Sequence, residues 1–169
     1  MRIGKDRYYL NIAKEVSKRS PCLRRKVGAI IVKNDVILST GYNGPPRGSV
    51  NCDEVGCIKE MLKAPHGSAY ELCPAVHAEE NAIINAARQG VSILGGTLYL
   101  AGEYLVETDL EPATVCERCK RAIINAGIVR VVTLMKDGRI KEFNVKDWVR
   151  NDIWNYLKKI TEIKMKKTL

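Results

Sequence analysis

Apolar positions alternate between two rhythms along this chain. Residues 5–19 place Tyr8, Tyr9, Ile12, Ala13 and Val16 at helical spacing, and Ser20-Pro21 stops the run. Val27 to Val32 is a β-rich stretch, Lys33-Asn34-Asp35 supplies a turn, and Val36 to Tyr42 makes a second strand, so a hairpin is predicted. Residues 43–76 are irregular and rich in Gly, Pro and Cys, with a short helix near 57–63. An excursion this long within a compact domain is usually functional or held by something. Residues 78–88 are strong helix material ended by Gly90. Thr97 to Leu100 is a strand, residues 117–126 form a helix ended by Gly127, and Val129 to Leu134 is a β-branched strand. Asp147 caps a last amphipathic helix through Trp148, Ile153, Trp154, Leu157 and Ile160. This order predicts an α/β fold, a three-layer α-β-α arrangement around a mixed central sheet. No linker or repeat interrupts it. One domain over residues 1–169 follows, with a core at about 5–135 and a strand/helix extension at about 136–169.

Composition narrows the class. The 169 residues are 46% hydrophobic and 28% charged, which suits a folded chain with a sizeable core. No stretch of about 18 apolar residues occurs, and Met1 to Arg7 has no apolar run. Neither a membrane span nor a signal peptide is expected, and a cytoplasmic location is. Six Cys in a reducing compartment read as metal ligands or catalytic groups before disulfides. Net charge is +9, concentrated at the ends: residues 1–33 carry ten Lys/Arg against two Asp/Glu, and residues 158–169 five against one. Basic ends attract a phosphorylated partner, a nucleotide or a nucleic acid, or are simply a solvated surface. Aromatic residues are only 6%, with one Phe, which disfavours a base-stacking channel; a nucleic-acid partner is not expected.

Two strand-to-helix junctions carry chemistry. One is His77-Ala78-Glu79, the other Cys116-Glu117-Arg118-Cys119. A C-x-x-C at a helix start aims two thiols at one point, and the positive helix end favours thiolates. Taken singly, each has a plainer reading. His77 can be a capping or core residue, Glu79 and Glu80 helix-start acids, and the C-x-x-C a structural or redox pair. Together, one His and two Cys make the three-ligand count of a catalytic zinc with its fourth position open to water. Glu79 then needs no ligand duty and is free to move that water's proton. An H-x-E followed by P-C-x-x-C is the signature of zinc nucleobase deaminases, which this chain matches apart from Val115 in the place of the Pro.

These motifs, with Asn81-Ala82-Ile83, resemble the cytidine/deoxycytidylate deaminase superfamily, and within it the deoxycytidylate (dCMP) deaminase branch. Val27-Gly28-Ala29, Gly41 through Gly48 (Gly-Tyr-Asn-Gly-Pro-Pro-Arg-Gly) and Ile124-Asn125-Ala126-Gly127-Ile128 extend the resemblance over roughly residues 5–135. One departure is Val115, where the family usually has Pro before the first Cys; Pro112 lies three residues earlier.

The resemblance implies a cytidine deaminase-like fold and hydrolysis of dCMP to dUMP, which supplies dTMP synthesis. His77, Cys116 and Cys119 would hold the catalytic Zn²⁺, Glu79 would shuttle protons, and Asn43 would contact the sugar. Arg24, Arg25 and Arg47 flank the expected pocket and are candidates for the phosphate. Gly41, Tyr42 and Gly44 would mark a dCTP/dTTP effector site, with Mg²⁺ accompanying the triphosphate; the plainer reading is a turn needing positive φ. Cys22, Cys52, Cys57 and Cys73, with His66 in reserve, would close a second, structural zinc, or else be ordinary buried thiols. A homo-oligomer, a hexamer in many members, is implied as well.

Rival activities on the same fold are deamination of cytidine, dCTP, tRNA adenosine or a riboflavin precursor. The 33 residues between Asn43 and His77 favour the dCMP branch over the tRNA enzymes, whose connection is much shorter. A non-catalytic zinc module that binds nucleic acid or protein would account for the Cys count but not for Glu79. A redox protein cycling Cys116 and Cys119 would leave His77 idle.

Overall fold

The computed structural model describes residues 2–65, 68–106, 111 and 113–166. His66 and Pro112 lie outside the described residues. The elements run α1 (Lys5–Ser17), β1 (Arg25–Lys33), β2 (Val36–Tyr42), α2 (Cys52–Val55), α3 (Ile58–Met61), α4 (Ala78–Arg88), β3 (Thr97–Tyr104), α5 (Glu117–Asn125), β4 (Arg130–Leu134), β5 (Ile140–Asn144) and α6 (Val145–Lys166).

The strands form one mixed sheet, ordered β2-β1-β3-β4-β5. β1 is antiparallel to β2 and β3, β3 is parallel to β4, and β4 is antiparallel to β5. Residues of the central strands alternate between two cores. Val27, Ala29 and Ile31 of β1, with Leu98 and Leu100 of β3 and Val131 of β4, face the core shared with α4, α5 and the start of α6. Ile30, Val32, Tyr99, Ala101 and Val132 face Leu10 and Ala13 of α1. Both faces are covered, so these strands read as continuous apolar runs. The three-layer α-β-α arrangement is therefore present.

Two glycines set how closely helices ride on the sheet. A Cβ at Gly28 would meet the Ala13 carbonyl oxygen at 2.1 Å, so α1 crosses β1 there in backbone contact. A Cβ at Gly41 would meet the Ala82 nitrogen at 2.3 Å and the Ala78 oxygen at 2.4 Å, so α4 lies on β2. Close approach, not positive φ, is what Gly41 provides; this corrects the turn reading.

Other differences are local. β1 begins two residues before Val27 and β3 runs four past Leu100, because antiparallel pairing carries Arg25 and Lys26 opposite Tyr104 and Glu103 although their side chains are polar. The short helix expected near 57–63 is α3, and α2 precedes it. β5 is a mostly exposed edge strand, Ile-Lys-Glu-Phe-Asn, within the expected strand/helix extension. α6 starts at Val145, so Asp147 sits in its first turn; Asn144 Oδ1 accepts the Lys146 N–H at 3.0 Å. Among the described residues no helix is long and apolar enough to cross a membrane.

Candidate active site

The site is assembled by two helix starts. His77 is the N-cap of α4 and Cys116 the N-cap of α5. Both hold extended backbone at the cap, which turns their side chains toward the gap between the helices. His77 Nδ1 lies 3.5 Å from Cys116 Sγ and 3.3 Å from Cys119 Sγ. The three donor atoms all lie within 4.8 Å of one another, and this is the only such His/Cys/Asp/Glu group among the described residues. The Cys119 N–H points to Cys116 Sγ at 3.5 Å.

The electrostatics prepare a ligand set. The Cys116 thiol is pulled down to about 3 by its hydrogen bond with Cys119, with help from His77. The same sulfur pair and burial push the Cys119 thiol up. His77 is raised mainly by its bond with Cys116. Two soft sulfurs and one imidazole nitrogen, converging from two rigid helices, fit zinc with one position left open. Release of thiol protons is the ordinary accompaniment of metal binding by such ligands.

Glu79 is 3% exposed. Burial raises its carboxyl above the usual range, with the His77 charge opposing. It borders a recess of about 10 Å³ shared with Arg25, Asn43 and His77. That is near the smallest space that holds one water. The recess adjoins a cavity of about 120 Å³ that shares those last three residues on its wall. A buried carboxyl thus stands beside the three-donor cluster without joining it.

Asn43 is buried and clamped to β1: its Oδ1 accepts the Val27 N–H at 2.7 Å, and its Nδ2 donates to the Arg25 carbonyl at 3.0 Å. It lines the cavity all the same, with one N–H left for a ligand. Arg24 and Arg25 also line the cavity, but Arg24 is ion-paired to Glu60 at 2.8 Å. Arg25 lies over the Tyr104 ring at 6.0 Å. Arg47 is elsewhere: its Nη2 donates to Asn85 Oδ1 on α4 at 2.7 Å, and it is absent from the cavity wall.

The effector candidates do not gather in one place. Gly41 is pressed on α4, the Tyr42 carbonyl accepts the Asn81 amide at 2.7 Å, and Gly44 alone lines the cavity. Gly44 is bridged to Val76 by two backbone bonds, which returns the long excursion to the site.

Cys22, Cys52, Cys57 and Cys73 all reach the cavity wall. Burial and the other three sulfurs push the Cys52 thiol up. No three of them come to the mutual spacing of the His77 cluster.

Lys59, Tyr70, Tyr104 and Arg118, none of them expected from the sequence, also line the cavity. Lys59 stands over the Tyr70 ring at 4.7 Å, and that ring lies 6.5 Å from the His77 ring. A Lys and a Tyr in an irregular excursion carry no periodicity to reveal them. Arg118 sits inside the C-x-x-C itself and was the one legible by position.

Comparison with known proteins agrees with this geometry. The family described as "Cytidine and deoxycytidylate deaminase zinc-binding region" matches residues 3–135. The chain belongs to this family. The deoxycytidylate deaminase of Mycobacterium phage D29 is 37% identical over 132 residues, covering 75% of this chain and 91% of that protein. The deoxycytidylate deaminase of Schizosaccharomyces pombe is 41% identical over 86 residues, but the match covers 51% of this chain and 27% of that longer protein. Among solved structures, the dCMP deaminase of cyanophage S-TIM5, crystallised with dCMP and dUMP, is 32% identical with a TM-score of 0.59. It covers 79% of this chain and 82% of that one. As a member of a deaminase zinc-binding family, the chain is expected to carry zinc, and its His-Cys-Cys cluster is the place for it.

Proposed function

We propose that this chain is a zinc-dependent hydrolase that deaminates dCMP to dUMP. The observation that carries the reading is Glu79, a buried carboxyl beside a His-Cys-Cys donor set at the floor of a cavity. His77, Cys116 and Cys119 would hold a zinc ion, which would acidify a water toward neutrality for addition to C4 of cytosine. Glu79 accepts the proton that this water loses and delivers it to N3. It then carries the second proton to the departing amino group, so that dCMP and water leave as dUMP and ammonia. Its raised proton affinity suits a group that must hold a proton between those two transfers.

The 5′-phosphate falls to Arg25 and Lys59. These are the cavity cations that no carboxylate among the described residues pairs, whereas Arg24 and Arg118 are taken by Glu60 and Glu80. The remaining Asn43 N–H is available to the sugar. The spare cysteines are read as a second, structural zinc site, supported by the convergence of all four on one wall. Metal analysis giving two zinc ions per chain, falling to one in Cys52→Ser, is the expected result. Assembly into a homo-oligomer, control by dCTP or dTTP with Mg²⁺, and supply of dUMP for dTMP synthesis belong to this reading on the strength of the resemblance.

The test is ammonia release from dCMP, dCTP, deoxycytidine and tRNA, each with and without added dCTP or dTTP. Turnover of dCMP well above the other three is expected. Equal turnover of deoxycytidine would move the assignment to a nucleoside deaminase.

A further inference from the structure

Glu80 and Arg118 have no part in the chemistry above, yet they join the two helix starts that make the site. Glu80 is the third residue of α4, and its Oε2 accepts the backbone N–H of His77 at 3.3 Å. The same oxygen takes the Arg118 Nη2 at 2.5 Å. Arg118 stands between Cys116 and Cys119 on α5. One carboxylate oxygen therefore ties the residue carrying the imidazole to the turn carrying both sulfurs. The two segments are 38 residues apart in sequence. Ala78, Ala82 and Ala86 of α4 share the sheet core with Ile123 of α5, and the ion pair adds a polar link between the two helix starts.

We infer that the Glu80–Arg118 ion pair is a positioning clasp for the His77, Cys116 and Cys119 ligand set, fixing the distance between the two helix starts and thereby the affinity for zinc. Glu80 is the anchored partner, its side chain 19% exposed, while Arg118 is 62% exposed. An exposed pair of this kind adds little to global stability. Groups that orient metal ligands from behind typically alter metal affinity by 10–100-fold. The inference rests on the proposed zinc-holding role of those three residues.

The variants separate the two bonds. Glu80→Gln keeps an oxygen for the His77 N–H but drops the charge that holds Arg118. Arg118→Ala removes the other half, and Arg118→Gln stands in for it should Ala fail to fold. Zinc-loaded wild type and variants are titrated with a chromophoric chelator, and cobalt-substituted samples are compared by visible absorption. Each single variant should bind zinc at least roughly tenfold more weakly and shift the cobalt bands, and the double variant should be no weaker than the weaker single. Unchanged zinc affinity in the single variants, or fully additive losses in the double, overturns the clasp while leaving the deaminase reading intact. A wild-type chain that bound no zinc would overturn both.

Discussion

His77 Nδ1 lies 3.3 Å from Cys119 Sγ although 42 residues separate them in sequence. The contact joins the cap of one helix to the first turn of another, both delivered by one sheet. Between them Glu79 is buried without becoming a ligand. Glu79→Gln keeps the shape and hydrogen-bonding oxygen but cannot take a proton. Ammonia release from dCMP should fall by roughly 10²–10⁴-fold, the ordinary worth of a positioned acid–base group. Zinc content should stay at the wild-type level. Loss of zinc together with activity would show that Glu79 serves the metal site and not the proton transfers.

Arg25 is near enough to influence the proton affinity of both His77 and Glu79. As a phosphate partner it should act on substrate choice. Replacing a charged hydrogen bond costs about 1.5–3 kcal/mol. Arg25→Gln should therefore lower kcat/KM for dCMP by roughly 10–100-fold while leaving deoxycytidine turnover nearly unchanged. Steady-state kinetics on the two substrates checks it. An equal loss on both would place Arg25 among the groups that maintain the site's shape.

Gly41→Ala tests the dependence of the site on helix docking. The added carbon meets backbone atoms of Ala82 and Ala78 at 2.3 and 2.4 Å, and backbone cannot swing aside as a side chain can. α4 must lift from β2, at a cost of about 1–3 kcal/mol. His77 and Glu79 lead that helix, so activity should fall further than stability alone requires. Urea unfolding and dCMP turnover on the same variant read the two effects. Wild-type stability would mean that the helix re-seats freely.

How much of this could be read in advance depends on what each residue's partner is. His77, Glu79, Cys116 and Cys119 were legible because their chemistry requires those types at helix starts, and both helix starts carry sequence signals. The strands of the sheet centre were legible as continuous apolar runs, because both of their faces are buried. Asn43 was found as a residue of the site, but its clamp on Val27 and Arg25 depends on a backbone edge that only the folded sheet creates. Arg47 was a phosphate candidate because it follows a stretch expected to flank the pocket and a guanidinium suits a phosphate; in the fold its Nη2 donates to Asn85 instead. Lys59 and Tyr70 come to the cavity from an excursion whose path no periodicity describes. β5 and the true start of α6 are set by pairing with β4, which a polar edge sequence does not announce.

The opposite face of the sheet offers a pH test. Arg130 of β4 meets Asp6 of α1 through two bonds of 2.9 and 2.8 Å, and Glu142 of β5 through two of 2.7 and 2.9 Å. The Tyr99 hydroxyl donates to Asp6 at 2.9 Å. The Arg130 hydrogen bonds hold both carboxyls below their usual range. Burial, followed by the bond to Asp6, pushes Tyr99 up to about 12. A depressed carboxyl stabilises the fold above its unfolded pKa, near 4, and that stability is lost as pH falls through the lower folded value. A raised phenol stabilises below its unfolded pKa, near 10, and loses this as pH rises toward 12. The network's contribution should therefore be level between about pH 5 and 9. Its groups are partly exposed to water, so Arg130→Gln should cost only about 1 kcal/mol at pH 7. In urea unfolding from pH 7 down to 2.5, the gap between wild type and Arg130→Gln should hold to about pH 5 and close as the carboxyls protonate. A gap that stayed constant to pH 2.5 would mean that Arg130 stabilises the sheet edge through the packing of its aliphatic stem and not through charge.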